Sequence, residues 1–300
     1  MIDIVLCTDE NYAAYCSVVM VSALKNTVCP EMFHFHVLTP NLTSLSQEKM
    51  NSLVTEYGAK LSIYEADTGF FDSVKADLGR FGIGTLLRLY MDHYLPQECE
   101  RVIYLDCDLL ILGDLAKLSN VNLNGNVVGG VPDLCSPQTF KSREYEYFNA
   151  GVLVIDLGLW REKNIAQLAL DYLSNHNAKY LDQDALNYIF QGQWKILDIS
   201  WNMQPAAYTA YDKKYDYIPR KQIEEAVHFP NIVHFIGPVK PWHANCTHPL
   251  QQLFLDFSNF TPWPISQKDL RAQISWTKRI NRLFKHLKIT KRRKITKYQL

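Results

Sequence analysis

The stretch Arg101-Val102-Ile103-Tyr104-Leu105-Asp106-Cys107-Asp108 decides how the rest of the chain is read. It opens as an apolar, β-branched and aromatic run, the signature of a buried strand, and closes in two aspartates spaced i, i+2. Side chains alternate across a strand, so Asp106 and Asp108 point to one side and Cys107 to the other. Two hard oxygen donors then stand at a strand end, where open α/β sheets bind their ligands. The triplet recurs as Asp182-Gln183-Asp184, so it is the preceding strand that marks Asp106 and Asp108 as candidate metal ligands.

Toward the N-terminus, Asp3 to Cys7 reads as a first strand, followed by Thr8-Asp9-Glu10-Asn11-Tyr12 and an Ala/Val-rich helix to about Asn26. Phe33 to Leu38 and Leu61 to Glu65 read as two more strands. Between them, Ser44-x-x-Gln47 predicts a capping box for a helix with the stripe Met50, Leu53, Val54 and Tyr57, closed by Gly58. This β-α-β-α-β order predicts a mostly parallel sheet and a nucleotide-binding half. Asp9, Asn11 and Tyr12 offer an acceptor, an amide and a stacking face for a base and ribose; helix capping explains the two polar ones equally well. Residues 66–84 read as a loop and Thr85 to Leu95 as one helix carrying Arg88. A lone arginine is ordinarily a surface ion-pair partner.

Toward the C-terminus, Val127 to Val131 and Phe148 to Asp156 read as strands. The small pair Ala150-Gly151 predicts either close approach of a bulky ligand beside Asn149 or a tight turn. Leu157 to about Leu173 reads as one helix, and Asp182-Gln183-Asp184 as the N-terminus of the next, where capping accounts for at least one of its acids. Residues 200–230, with Trp201, Tyr208, Tyr211, Tyr215 and Tyr217, read as an aromatic loop that suits an acceptor sugar or simple packing. The last core strand is expected in Asn231 to Trp242, with His234 six residues before Lys240. An imidazole added to two carboxylates suits Mn²⁺ better than Mg²⁺, and Gly237 with Lys240 suits a diphosphate.

With 300 residues, 47% of them hydrophobic, the chain has enough apolar side chains for a large α/β core with an appendage. Seven scattered cysteines without a C-x-x-C pair argue against a disulfide framework or zinc cluster and fit a reducing cytoplasm. Met1-Ile2-Asp3-Ile4-Val5-Leu6 lacks the basic start of a signal peptide, and no apolar run is long enough to span a bilayer. The zero net charge hides an asymmetry: residues 1–270 carry 20 basic and 31 acidic side chains, and the remainder carries 11 basic and none acidic. Pro262-Trp263-Pro264 marks the boundary between a body of residues 1–261 and an appendage of 262–300. Trp276, Ile280, Leu283, Phe284 and Leu287 predict a basic amphipathic helix lying on an anionic membrane. A nucleic-acid-binding tail and plain disorder are the competing readings, and the acidic body opposes the first.

In order, Asp9-x-Asn11-Tyr12, Arg88, Tyr104-Leu105-Asp106-x-Asp108, Phe148-Asn149-Ala150-Gly151-Val152, Asp182-Gln183-Asp184 and His234-Phe235-x-Gly237-Pro238-x-Lys240-Pro241-Trp242 resemble the family 8 retaining glycosyltransferases over roughly residues 3–250. The nearest pattern is that of the LgtC-type lipooligosaccharide α-galactosyltransferases. The resemblance implies a GT-A fold, a UDP-galactose or UDP-glucose donor, Mn²⁺, an oligosaccharide acceptor on a lipid, and a place on the inner face of the cytoplasmic membrane. It implies Asp106, Asp108 and His234 as metal ligands. It puts Cys7, Asp9, Asn11 and Tyr12 toward the uridine, and Gly237 and Lys240 toward the diphosphate. Around the transferred sugar it implies Arg88, Asn149, Asp182 and Gln183, with Asp133 and Tyr180 touching donor sugar or acceptor. Leu86, Arg80 and Ile236 depart from the usual Tyr, acceptor-side His and Cys, which leaves the acceptor open. A UDP-sugar hydrolase or nucleotidyltransferase would use the same metal and diphosphate groups without an acceptor loop.

Overall fold

A computed structural model describes residues 1–71, 84–134, 146–212 and 219–273. Its strands are β1 (Ile2–Cys7), β2 (Phe33–Thr39), β3 (Lys60–Glu65), β4 (Arg101–Leu105), β5 (Leu109–Ile111), β6 (Val128–Pro132), β7 (Phe148–Asp156), β8 (Lys195–Ile196) and β9 (Ile232–His234). The main sheet runs β3-β2-β1-β4-β7-β6-β8. β1 pairs in parallel with β2 and β4, β2 with β3, and β6 with β8; β7 is antiparallel to both its neighbours. The strand order reverses across β1 and β4, which opens a crevice at their carboxyl ends.

Helices α1 (Ala13–Lys25) and α2 (Ser44–Glu56) cross over between the first three strands. One sheet face buries Val5, Leu38, Val102 and Tyr104 with Trp160 and Trp194, and the other buries Ile4, Leu6, Phe35 and Ile103 with Met20 and Val54. Burial on both faces is why these strands read as near-continuous apolar runs.

Several expectations need correction. The α2 cap is Thr43, whose hydroxyl accepts from Ser46 N at 3.2 Å; Gln47 turns back to the Leu42 carbonyl, so the Ser44 box does not form. The single helix expected over Thr85 to Leu95 is α3 (Gly84–Leu87), a 3₁₀ turn over Arg88–Tyr90, and α4 (Met91–Tyr94). The tight turn coincides with burial of Arg88, whose Nε reaches back to the Thr85 carbonyl. After α5 (Leu115–Ser119), the helix expected from Leu157 divides into α6 (Leu157–Glu162) and α7 (Ile165–Asn175), because Asn164 takes a left-handed φ of 52°.

Helix α8 (Leu181–Phe190) begins at the Asp182-Gln183-Asp184 triplet as expected. The region read as an aromatic loop is largely helical: a 3₁₀ turn over Ile199–Asn202, α9 (Pro205–Asp212) and α10 (Arg220–His228). Trp201 is buried in the core there, and the half-buried Tyr208 meets His248 edge-on. The side chain of Tyr211, and Tyr215 and Tyr217 altogether, lie outside the described residues.

Only Ile232–His234 of the expected last strand is extended, and it leaves the main sheet to pair antiparallel with β5. Prolines 238 and 241, which have no N–H to donate, follow it. Helices α11 (Gln251–Ser258) and α12 (Gln267–Ala272) close the described chain, the latter with a Ser266/Asp269 capping box and Leu270 buried. The amphipathic pattern from Trp276 to Leu287, and Arg80, lie outside the described residues. Among the described residues, no helix is long and apolar enough to cross a membrane.

Candidate functional site

Pairing register brings the acidic and imidazole groups together. β5 follows Asp108 directly, and Leu109 stands opposite His234 across the β5–β9 pair, with Phe235 N donating to the Asp108 carbonyl at 3.0 Å. His234 Nε2 is therefore 3.2 Å from Asp108 Oδ1 and 3.7 Å from Asp106 Oδ2. One donor atom from each of Asp106, Asp108 and His234 lies within 4.8 Å of the others. Gly151 closes the fourth side: a Cβ there would stand 2.2 Å from His234 Cε1 and 2.7 Å from Asp106 Oδ2. Gly151 of the small pair thus makes room for the His234 and Asp106 side chains, where a bulky ligand or a turn was expected.

The polarity of His234 follows from a chain of amides anchored on backbone donors. Ala150 N and Asn149 Nδ2 both donate to Gln183 Oε1, at 3.0 and 3.1 Å. Asn149 Oδ1 then accepts from Gly151 N and from Asn202 Nδ2, at 3.1 and 2.8 Å. Asn202 must therefore present Oδ1 to His234 Nδ1, 2.9 Å away, which puts a ring proton on Nδ1 and turns Nε2 to the two aspartates. The donor set fits a divalent ion that accepts both oxygen and nitrogen.

The second half of the site is built on Arg88. Its guanidinium spans Asp106 Oδ1 at 2.8 Å and Asp182 Oδ2 at 2.9 Å, donates to the Ala150 carbonyl at 2.8 Å, and lies 4.3 Å over the Tyr104 ring. The surface ion pair expected of a lone arginine gives way to a buried bridge between Asp106 and Asp182. Gln183 Nε2 donates to Asp133 Oδ2 at 2.8 Å and to Tyr147 Oη at 3.3 Å, so both ends of that amide are fixed. Leu181 enters α8 with a left-handed φ of 42°, a conformation that costs on the order of 1 kcal/mol or more and is characteristic of functional segments.

The family profile described as "Glycosyl transferase family 8" matches residues 3–246. The chain belongs to that family. This glycosyltransferase is 29% identical over 275 residues to General stress protein A of Bacillus subtilis (strain 168), covering 87% of this chain and 94% of that one. It is 27% identical over 284 residues to the Salmonella typhimurium protein named lipopolysaccharide 1,3-galactosyltransferase, covering 88% and 81% of the two chains. Among solved structures, the galactosyltransferase LgtC in complex with donor and acceptor sugar analogs superposes with a TM-score of 0.77 at 25% identity, over 91% of this chain and all of that one. The fold is of the GT-A type.

In this glycosyltransferase, burial pushes the Asp108 carboxyl up, but the Lys240 ammonium and His234 pull it well below the usual range. Lys240, expected at a diphosphate, here rests its ammonium on Asp108 and on the Phe235 carbonyl. Asp182 goes the other way: burial drives it up to about 7 against the pull of Arg88, with the Asp106 charge adding to the rise. Asp9 Oδ1 accepts from Tyr12 N at 3.0 Å, and Asn11 Nδ2 reaches Asp9 at 3.4 Å, so Asp9 secures the entry to α1. Tyr12 is exposed and meets Trp242 edge-on, while Tyr15 stacks on Trp242 at 3.5 Å, tying that entry to the segment after β9. Cys7 is half-buried, and its carbonyl accepts from Cys107 Sγ. Gly237 takes a left-handed φ of 105°. Tyr180 is half-buried, and its backbone N–H donates to Asp184 Oδ2 at 2.7 Å.

Sequence reasoning missed Asn202, Tyr104 as a partner, Tyr147 and Tyr15. Tyr104 donates to Asp106 Oδ1 at 3.0 Å and was hidden by its place in an apolar strand. The one signal for Asn202 was an amide between Trp201 and Met203, whose burial demands a partner.

Proposed function

We propose that this glycosyltransferase moves galactose or glucose from a UDP-sugar to a saccharide acceptor in lipopolysaccharide or lipooligosaccharide synthesis, with retention at the anomeric carbon. The observation that carries the reading is the meeting of Asp106, Asp108 and His234 beside the Arg88–Asp182–Gln183 cluster at the crevice between β1 and β4. Asp106, Asp108 and His234 would hold Mn²⁺, which when bound supplies Lewis-acid stabilisation of the departing diphosphate. Lys240, whose ammonium lies against Asp108, would offer the diphosphate a fixed cation. Asp9, Asn11, Tyr12 and the carboxyl end of β1 at Cys7 take the uridine, with Gly237 beside the diphosphate.

The sugar side favours same-face attack over a double displacement. The Gln183 oxygen is a neutral amide that already accepts two hydrogen bonds, which leaves it a poor nucleophile and a fixed dipole toward positive charge developing on the sugar. Asp182 is tied to Arg88, and burial raises its carboxyl far above the usual range and so favours the protonated form, which weakens it as a nucleophile. The UDP oxygen then takes the acceptor's proton, while Asp133 and Tyr147 hold Gln183 in place. Asn149, Asp133 and Tyr180 line the sugar side in this reading.

The test is a UDP-release assay with UDP-galactose and UDP-glucose, with and without lactose, and with the product anomer read by NMR. An α-linked product from one donor supports the reading. UDP release that lactose leaves unchanged makes the protein a hydrolase. The basic segment after Asp269 is proposed to hold the enzyme on an anionic membrane face, supported by its 11 Lys/Arg and absent acids. Flotation with anionic liposomes should be lost when residues 271–300 are removed; equal flotation contradicts it.

A further inference from the structure

Toward the other end of the same strands, four donor side chains converge on the face that carries Val5 and Tyr104. Asp3 of β1 stands beside His34 of β2 in the parallel register, and alternation puts His36 on the same face. Asp3 Oδ1 is 2.9 Å from His36 Nε2 and 3.5 Å from His34 Nδ1. Donor atoms of Asp3, His36 and Cys99 all lie within 4.8 Å of one another. Cys99 is placed by Arg161, whose guanidinium donates to the carbonyls of Leu95, Pro96, Gln97 and Cys99 and so clamps the loop entering β4.

The rings are held from behind. His34 Nε2 meets Ser62 Oγ at 2.8 Å and His36 Nδ1 meets Tyr64 Oη at 3.0 Å, both hydroxyls coming from β3. Each imidazole thus turns one nitrogen to a hydroxyl and the other to Asp3, the arrangement in which outer partners orient metal-bound histidines. His36 and Cys99 are buried, whereas the side chains of Asp3 and His34 are 19% and 21% exposed, leaving an entry from solvent. Four ligands placed about 2.0–2.3 Å from one ion stand roughly 3.3–3.7 Å apart; the pairs of Asp3 with His36 and His34 are already near that spacing, and Cys99 and His34 would close on the remaining donors by side-chain rotation.

We infer that Asp3, His36 and Cys99, with His34 as fourth donor, form a zinc-class metal site separate from the reaction site. A thiol among imidazoles and a carboxylate selects a borderline-soft ion such as Zn²⁺ or Co²⁺, whereas the thiol-free Asp106–Asp108–His234 set suits Mn²⁺. Binding forms the metal–sulfur bond and releases the Cys99 thiol proton to solvent, with no change of oxidation state. The ion ties β1, β2 and the loop into β4 together, and β4 delivers Asp106.

The test is an anaerobic Co²⁺ titration of the metal-stripped full chain, with Mn²⁺ present to fill the reaction site. One equivalent should raise a near-ultraviolet thiolate-to-cobalt charge-transfer band that Zn²⁺ bleaches and that Cys99→Ser abolishes. Tyr64→Phe should weaken Co²⁺ binding about 10-fold to 100-fold. Absence of the band in the unaltered chain, or an equal band in Cys99→Ser, overturns the site. Should Cys99→Ser fail to fold, unchanged Co²⁺ affinity in both Tyr64→Phe and His34→Gln overturns it.

Discussion

Asp108 and Asp182 are both buried aspartates of one site, yet their carboxyls are driven in opposite directions. Both pay for removal from water; what differs is the supply of cations. Asp108 has the Lys240 ammonium and His234 against it, whereas Asp182 shares its single guanidinium with Asp106. The Asp108 end of the site therefore keeps its negative charge, which is what the proposed metal ligation requires. The Asp182 end carries less charge, with the Gln183 amide beside a carboxyl raised to about 7.

The contrast can be broken by substitution, and the largest effect is expected at the neutral amide. Gln183→Ala removes a fixed dipole from the charge developing on the sugar and should lower kcat about a thousandfold, or ~4 kcal/mol, with UDP affinity unchanged. Unchanged turnover would take Gln183 out of the chemistry.

The next effect is on stability against pH. The Asp182 carboxyl is raised from 3.8 to about 7 in the folded chain. Across that window the folded state keeps a proton the unfolded chain has released, so Asp182 makes stability fall as pH rises. The contribution is complete below about pH 4 and gone above about pH 7, and amounts to a few kcal/mol. Tm profiles from pH 4.5 to 8 should show this decline in the parent and a flatter curve in Asp182→Asn; parallel curves would mean Asp182 is ionised throughout.

The smallest effect is expected at Asn202. Asn202→Ala frees the His234 tautomer and should weaken Mn²⁺ binding by about 10-fold to 100-fold, with ring ¹⁵N shifts moving from the Nδ1–H form to a mixture. Unchanged shifts would show that His234 is oriented without the amide chain.

What the sequence could disclose depended on how local the cause was. β1 to β3 and the Asp106/Asp108 pair were legible because short apolar runs and strand-end aspartates are written within a few residues. The position of His234 was not, since it rests on β9 pairing with β5 more than a hundred residues earlier; donor chemistry and the resemblance suggested the link, and no local pattern did. The buried role of Arg88 was likewise invisible, because it is set by Asp106 and Asp182 from other elements. The error over residues 200–230 came from aromatic content. Pro205 at the first turn of α9 was the overlooked sign, since proline is tolerated there and its φ suits a helix. Asn164 broke a helix that its flanking Arg161-Glu162-Lys163 would otherwise have continued.

The central claim is that Asp106, Asp108 and His234 bind UDP-sugar through a divalent ion. Calorimetry of UDP against the chelator-treated protein, with and without Mn²⁺, tests it most directly, using Asp108→Ala as the paired variant. The account predicts UDP binding that needs Mn²⁺ and is lost in the variant. Equal UDP affinity with and without Mn²⁺, or in the variant, would contradict it.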